Sequence, residues 1–341
     1  MIRDYFQEPA SQGAWNHRVG SGEQGQMSSR KFDVVVIGNI GIDTNVYLPG
    51  DDIDFRVEAN FTENLDYVGQ AGGYASRGYA QLGKRTAFIG YVGEDYSGRF
   101  IREELARDAI DTSALFVDPW GTSRSVNFMY RDGRRKTFYD GKGHMHLQPD
   151  LEVCRAVLSQ SRLAHFNIPN WARHLLPVAR ELGLTIACDI QDTVTAGDPY
   201  RQDFIEYADI LFLSAVNQAD PTSLIEIFLA ARPDYSRSGR IVISGMGARG
   251  CAVGSRQGVE FFPPVGLDIP VIDTNGAGDS LAVGFLTSFV LDGYSLRDSA
   301  LRGQIAARHT CTLKASSSNL ITPALLDRYF QARRAYGRTS A

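Results

Sequence analysis

Cysteine is scarce in this chain. Cys154, Cys188, Cys251 and Cys311 are the four among 341 residues, and no two stand in a C-x-x-C pair. That spacing excludes a disulfide framework and a thiolate zinc module. Three of the four sit in apolar runs, as buried free thiols do, so a reducing, cytoplasmic location is expected. Long apolar runs are also missing. The most apolar stretch, 281–291, is interrupted by Gly284, Thr287 and Ser288 and is too short to span a bilayer. Residues 1–30 contain no hydrophobic segment of the signal-peptide kind. Charge of one sign is scarce too: with a net charge of -4 and no dense Lys/Arg stripe, neither nucleic acid nor membrane is an expected partner. Arg134-Arg135-Lys136 reads as a solvated turn. No Gly-x-Gly-x-x-Gly follows the first strand-like run, which removes the nicotinamide-binding fingerprint.

What is present is an ordinary globular composition, 43% hydrophobic and 22% charged, in a chain long enough for one large α/β domain. Strand-like runs at 33–39, 86–92, 163–167, 184–189, 209–214 and 240–244 alternate with helical ones at 73–82, 97–106, 171–182 and 221–231. Helical runs at 281–291, 296–312 and 323–336 close the chain. Such alternation argues for βαβ units on a mostly parallel sheet covered on both faces, an α/β fold of three layers. Two segments break the rhythm. Residues 123–140 read as a β-hairpin turning at Asp132-Gly133, and 44–67 hold further strand-like pieces; together they suggest a small β-lid. Residues 1–30, rich in Gly, Ser, Gln and charge, read as a flexible extension ahead of a folded domain over 31–341.

The most informative stretch is Asp273-Thr274-Asn275-Gly276-Ala277-Gly278-Asp279-Ser280, which opens a helix after an extended, Pro-containing run at 261–271. Two glycines around one alanine let a ligand approach the backbone. The first N–H groups of the helix lack intrahelical partners and lie at the positive end of its dipole. That is a seat for phosphate or for developing negative charge. A carboxylate at Asp279 would repel a bound phosphate unless its task is to take a proton, so the stretch reads as a phosphoryl-transfer site.

The same string resembles the C-terminal signature of the ribokinase-like (PfkB) carbohydrate kinases. The resemblance implies a ribokinase-like three-layer α/β/α domain with a β-sheet lid that covers the sugar. It gives the anion hole to Gly276, Ala277 and Gly278, the catalytic base to Asp279, and a monovalent-cation site, K⁺ for example, to Asp273. Asn275 joins the glycines on the ATP side. Asp43, in the Gly-x-x-x-x-Asp that ends the first strand, is similar to the family's acid for substrate hydroxyls. Gly69-Gln70-Ala71-Gly72-Gly73-Tyr74 is similar to the N-terminal signature, with Gly72 and Gly73 facing the sugar. Aligned on Ala80-Gln81-Leu82-Gly83, Tyr74 stands where the family has Asn; aligned on Gly72-Gly73, the helix is three residues short, so the Asn is missing either way. An aromatic there implies a bulkier, flatter or less polar substrate than ribose.

Asn217-Gln218-Ala219-Asp220 is similar to the family's Asn-x-x-Glu, which implies that Asn217 and Asp220 orient the waters of Mg²⁺; a helix N-cap box is the structural alternative. Ser244 to Gly250 resembles the nucleotide loop, with Gly247 and Gly250 kept and Gly245 in place of Thr. Asn167, before Ile168-Pro169, and Asn127, in the hairpin, are further substrate candidates. Arg124 is the basic side chain that a phosphorylated acceptor would need. Gly78 to Lys84 mimics a Walker A loop, but its Lys would end a helix instead of starting one, so the dipole points the wrong way. His165 and His309 read as packing residues. The expected function is an ATP- and Mg²⁺-dependent kinase acting on a primary alcohol of a sugar, pseudo-sugar or nucleoside, with a homodimer through the lid. A nucleoside kinase and a ligand-binding pseudokinase are the alternatives.

Overall fold

The computed structural model describes residues 30–131, 134–192, 195–231 and 239–339. From β1 (Phe32–Ile37) the chain runs out into β2 (Gly41–Tyr47) and β3 (Glu63–Gly69), then returns as α1 (Gln70–Gln81), β4 (Thr86–Val92), α2 (Tyr96–Arg107) and β5 (Asp111–Val117). A second excursion, β6 (Arg124–Met129) and β7 (Arg135–Asp140), precedes α3 (Leu151–Leu158) and β8 (Ser161–Phe166). A 3-10 turn (Asn170–Leu175) leads into α4 (Leu176–Glu181), then β9 (Thr185–Asp192), α5 (Gln202–Tyr207), β10 (Ile210–Ser214), α6 (Thr222–Ala230) and β11 (Ile241–Gly245). After β12 (Cys251–Ser255) and β13 (Gly258–Phe262) come α7 (Ala277–Leu286), α8 (Leu296–Thr310) and α9 (Pro323–Thr339).

The large sheet has the order β13-β12-β11-β10-β9-β8-β1-β4-β5. It is parallel from β11 to β5, and β12 and β13 add an antiparallel edge. The Val/Ile run of β1 explains its central place. Val35 and Ile37 enter one core with Trp171, Phe204 and Phe228, while Val34 and Val36 enter the other with Tyr79, Phe88 and Phe285. Each such aliphatic side chain contributes about 1.5–3 kcal/mol by burial. Because β1 pairs with β4 on one side and β8 on the other, the chain switches direction there. Ligands bind α/β sheets in the crevice beyond the carboxyl ends at such a point.

The excursions form a separate sheet, β3-β2-β6-β7. Its registers pair Asp43 with Ser125, Asn45 with Asn127, Ser125 with Tyr139, and Met129 with Arg135. The period of two therefore puts Asp43, Asn45, Ser125, Asn127, Thr137, Tyr139 and Arg135 on one face. That face is polar yet deeply covered: Asp43, Asn45, Ser125 and Asn127 are buried.

Several local expectations shift. Asp43 lies within lid strand β2, not in a loop after β1. Helix α1 starts at Gln70, three residues earlier than its periodicity suggests. Past Phe262 the run 263–271 forms no strand; Pro263, Pro264 and Pro270 lack the N–H a ladder needs. The turn at Asp132-Gly133 and nearly all of the extension over 1–30 fall outside the described residues. The four cysteines are free.

Candidate active site

Gly276 caps α7 in the left-handed region, φ 72°, a conformation that favours glycine. A Cβ there would also stand 2.2 Å from the Tyr74 ring. Helices α1 and α7 run side by side because small residues line the seam: a Cβ on Gly78 would come within 3.2 Å of Val283. Both helices begin at the same end of the sheet, and Tyr74, only 3% exposed, supports the anion loop from beneath. Gly72 and Gly73 pack against the β1–β2 connection: Gly72 N donates to Asn39 O (2.9 Å), and a Cβ on Gly73 would meet Ile40. At Gly278 the space a side chain would fill is open.

Asp279 stands in the first turn of α7. Burial pushes its carboxyl well above the usual range. Asp189 and then Asp43 push the same way, while its own N–H and the Arg135 guanidinium pull it down. Asp189, at the carboxyl end of β9, is raised to about 6 by burial, against the Gln191 N–H and with help from Asp192. Burial likewise raises Asp43, opposed by the Gln70 N–H, the Ser125 and Tyr67 hydroxyls, and Arg135. Asp189, Asp43 and Arg135 thus lie near enough for the charge of each to act on Asp279. A carboxyl raised above its ordinary range is a stronger base than an ordinary one.

Around Asp43 and the end of β1 the protein leaves buried polar atoms unanswered. Asp43 Oδ1, Gln70 Nε2, and both Nδ2 and Oδ1 of Asn167 have no hydrogen-bond partner. Gly38 makes room for Asn167, whose Oδ1 would lie 2.2 Å from a Cβ there. Asn39 Nδ2 donates to Tyr139 Oη (2.9 Å), joining the lid to the end of β1. Orphaned groups of this kind at a cleft fit the hydroxyls of a polyol.

The lid also grips the anion loop. Asp273 Oδ2 accepts from Asn45 Nδ2 (2.7 Å) and Tyr47 Oη (2.8 Å), and its Oδ1 accepts from Asn275 N (2.8 Å). Asn45 Oδ1 accepts from Asn127 Nδ2 (2.9 Å) and Asn275 Nδ2 (3.1 Å). Arg135 Nη1 donates to Asn275 Oδ1. With protein donors on both oxygens of a buried carboxylate, Asp273 anchors the lid; Oδ1, which accepts one N–H, keeps acceptor capacity for the monovalent ion expected there. Asn127 is a member of this network, its Oδ1 accepting from Thr137 (2.8 Å).

On the nucleotide side, Gly247 (φ 59°) and Gly250 (φ 93°) turn the chain left-handed. A Cβ on Gly250 would strike Phe262 O at 2.1 Å. Arg249 donates to the carbonyls of Ala215 (3.1 Å), Gln218 and Ala219, tying this turn to the loop that carries Asn217. Asp220 Oδ1 accepts from Thr222 N (2.9 Å) and Oγ1 (2.6 Å) at the start of α6. It braces the turn just ahead of the helix, whose N-cap is Pro221, and its Oδ2 stays exposed. Both Asn217 and Asp220 are exposed.

Some calls move. Arg124, proposed for an acceptor phosphate, lies on the outer lid face and bonds Thr44 (3.0 Å) and Asp66 (3.4 Å). Arg135, dismissed as part of a solvated turn, is the cation that reaches the cleft. The alternation Arg135, Thr137, Tyr139 on one strand face is the signal that could have found it. Asn39, Asn45, Gln70 and Asp189 were not singled out either. His165 is a core residue, its Nδ1 3.1 Å from Tyr79 Oη and its pKa lowered to about 4 by burial. His309 Nε2 meets Asn319 O (3.2 Å).

Comparison with known proteins gives this arrangement a family. A model of the pfkB family carbohydrate kinases matches residues 31–323. The chain is 29% identical over 302 residues to an acarbose 7(IV)-phosphotransferase of an Actinoplanes species, covering 87% of this chain and 98% of the relative. It is 26% identical to the 5-dehydro-2-deoxygluconokinase of Geobacillus kaustophilus, over 89% and 95% of the two chains. A microbiome-derived acarbose kinase superposes with TM-score 0.80 at 26% identity, over 88% of this chain and 99% of that one. In fold, Arabidopsis thaliana ribokinase, solved with ribose and ATP, is alike at TM-score 0.72 and 18% identity, over 88% and 99%. The nine-stranded sheet with its four-stranded lid is the ribokinase-like fold, and the chain belongs to the pfkB family of carbohydrate kinases.

Proposed function

We propose that this kinase transfers the γ-phosphoryl group of ATP to a hydroxyl, a primary alcohol, of a sugar or pseudo-sugar. Asp279 is the general base, and the amides of Gly276, Ala277 and Gly278 are the anion hole. The observation that carries the reading is the open N-terminus of α7 with a raised Asp279 in its first turn, facing Asp189, Asp43 and Arg135.

The acceptor lies against Asp43 and Asn167, and its attacking hydroxyl bonds to Asp279. As the new O–P bond forms and the β–γ bridge breaks, the hydroxyl proton passes to Asp279. Negative charge on the moving phosphoryl oxygens falls on the amides, the helix dipole and Arg135. The lid keeps water from competing for the phosphoryl group. ATP runs from the turn at Gly247 and Gly250 to the Gly276–Gly278 loop, with Asn275 beside its terminal phosphate. Mg²⁺, when bound, neutralises phosphate charge, and Asn217 and Asp220 orient its waters.

The likeness to an acarbose phosphotransferase and an acarbose kinase supports a pseudo-sugar acceptor. So do the exposed rings of Trp120 and Tyr139, which pair with His146 (6.5 Å) and His144 (5.8 Å) beside the cleft and offer faces for sugar rings. The exposed outer face of the lid, with Phe138 on Phe128, is the surface for a homodimer, which sedimentation velocity checks. Free thiols and a need for ATP suit the cytoplasm.

The test is ADP formation from MgATP with D-ribose, myo-inositol, acarbose and uridine, with Asp279→Ala as control. Turnover of a sugar or pseudo-sugar that vanishes in the variant supports the reading. Turnover of uridine alone reassigns the acceptor to nucleosides. Silence on all four with ATP still bound would sink the kinase reading in favour of a binding protein.

A further inference from the structure

Gln70 is the first residue of α1 and holds φ 63°, a region that side chains other than glycine's enter only against steric resistance. Strain of this kind persists where the surroundings fix it, and it clusters at sites that work. The surroundings here are explicit. Gln70 is 8% exposed, and its N–H donates to Asp43 Oδ2 (3.1 Å). Its Oε1 accepts from Asn39 Nδ2 (3.2 Å) and Ser123 Oγ (2.9 Å). Oε1 is held by Asn39, and by Ser123 when its single proton is not given to Ile40 O (2.9 Å), so the amide plane and the direction of Nε2 are restrained. That nitrogen has no partner. It lies 2.4 Å from where a Cβ on Gly41 would stand, two residues before Asp43 and on the same face of β2. A glycine at 41 makes room there for the amide, together with Ser123 O (2.3 Å) and Oγ (2.7 Å). Asp43 Oδ1, close by, is also unanswered.

Resting on the kinase reading of this cleft, we propose that Gln70 is a specificity-determining residue: its Nε2 donates to one hydroxyl of the acceptor while Asp43 Oδ1 accepts from the adjacent one. One donor and one acceptor, held side by side on a rigid support, match a vicinal diol. They do not match a deoxy carbon at either place, because the missing hydroxyl would leave a buried polar atom unpaired. The backbone strain at 70 is what aims the amide.

The experiment compares wild type with Gln70→Glu and Gln70→Met, using D-ribose, myo-inositol, acarbose and uridine as acceptor probes, with melting temperature measured alongside. Gln70→Glu keeps an oxygen for Asn39 and Ser123 but replaces the free donor with an acceptor next to Asp43. Gln70→Met keeps the length and removes both polar ends. On whichever probe turns over, both variants should raise the acceptor KM by roughly tenfold or more. The KM for ATP should stay within about twofold, because the nucleotide loops do not touch residue 70. An unchanged acceptor KM in folded variants overturns the assignment to Gln70 and leaves the kinase reading standing. A parallel rise of both KM values, or variants that fail to fold, makes Gln70 structural and overturns it too. A wild type that neither turns over nor is thermally stabilised by any probe overturns the cleft reading, and this assignment with it.

Discussion

The ring of Tyr74 occupies the space in which a side chain on Gly276 would begin, with Cε1 2.2 Å from that position. The hydroxyl of the same tyrosine donates to Tyr67 Oη (3.0 Å), which in turn stands 3.4 Å from Asp43. One buried aromatic therefore backs the Gly276 turn with its ring and reaches toward Asp43 through its hydroxyl.

Gly276→Ala should accordingly fail twice, through the left-handed φ and through overlap with the ring. A loss of about 2–4 kcal/mol in stability is expected, with turnover lost because the loop moves. Denaturant titration together with kcat measures both. An alanine variant of wild-type stability and rate would show that the loop adjusts freely.

Asp279→Asn should lower kcat by roughly 10²–10⁴-fold with little change in the KM for ATP. It should also stabilise the ligand-free protein at neutral pH. The folded carboxyl is raised above its unfolded value of about 3.9, so the folded state binds the extra proton, and stability falls as pH rises from the unfolded value through the folded one. Asparagine carries no such penalty. Its melting-temperature gain should be present at pH 7 and gone below about pH 4.

Asp189 and Arg135 act on that carboxyl with opposite sign. The acid limb of the kcat/KM profile reports the base, active only when deprotonated. Asp189→Asn should move this limb to lower pH, and Arg135→Ala should move it to higher pH. Two shifts in the same direction would contradict the shared electrostatics.

Beyond the pH shift, Arg135→Ala should reduce kcat by on the order of 10²-fold, as for removal of a donor to a developing oxyanion. Arg124→Ala, on the outer lid face, should leave kcat within about twofold. Equal effects from the two would place both on the same side of the lid, against the strand register.

How much could be read beforehand follows the reach of each interaction. The alternation of β-branched and helical runs, the Gly-Ala-Gly turn and Asp279 are local, and their residue order alone carries them. Arg135 depends on which face a strand presents, and Arg134 and Lys136 beside it hid that face. Asn45 and Asp273 are 228 residues apart, and no local pattern links them. Gln70 is concealed for a different reason: a glutamine between a glycine and an alanine gives no sign of a positive φ. The Mg²⁺ reading of Asp220 and the cap-box reading share one residue type and one spacing; the helix begins only at Thr222, with Pro221 as its uncapped N-cap, and Asp220 holds the Thr222 N–H and hydroxyl from outside it.

The bonds from Asn45 and Tyr47 to Asp273 make a lid strand and the phosphate-binding turn one mechanical unit. On the proposed mechanism, whatever draws β2 onto an acceptor would also set the turn that meets ATP, and the two ligands would share a coupling free energy. By reciprocity, an acceptor that tightens ATP by some factor must itself be tightened by ATP to the same extent. Cutting the link, with Asn45→Ala and Tyr47→Phe together, should leave each ligand able to bind but indifferent to the other.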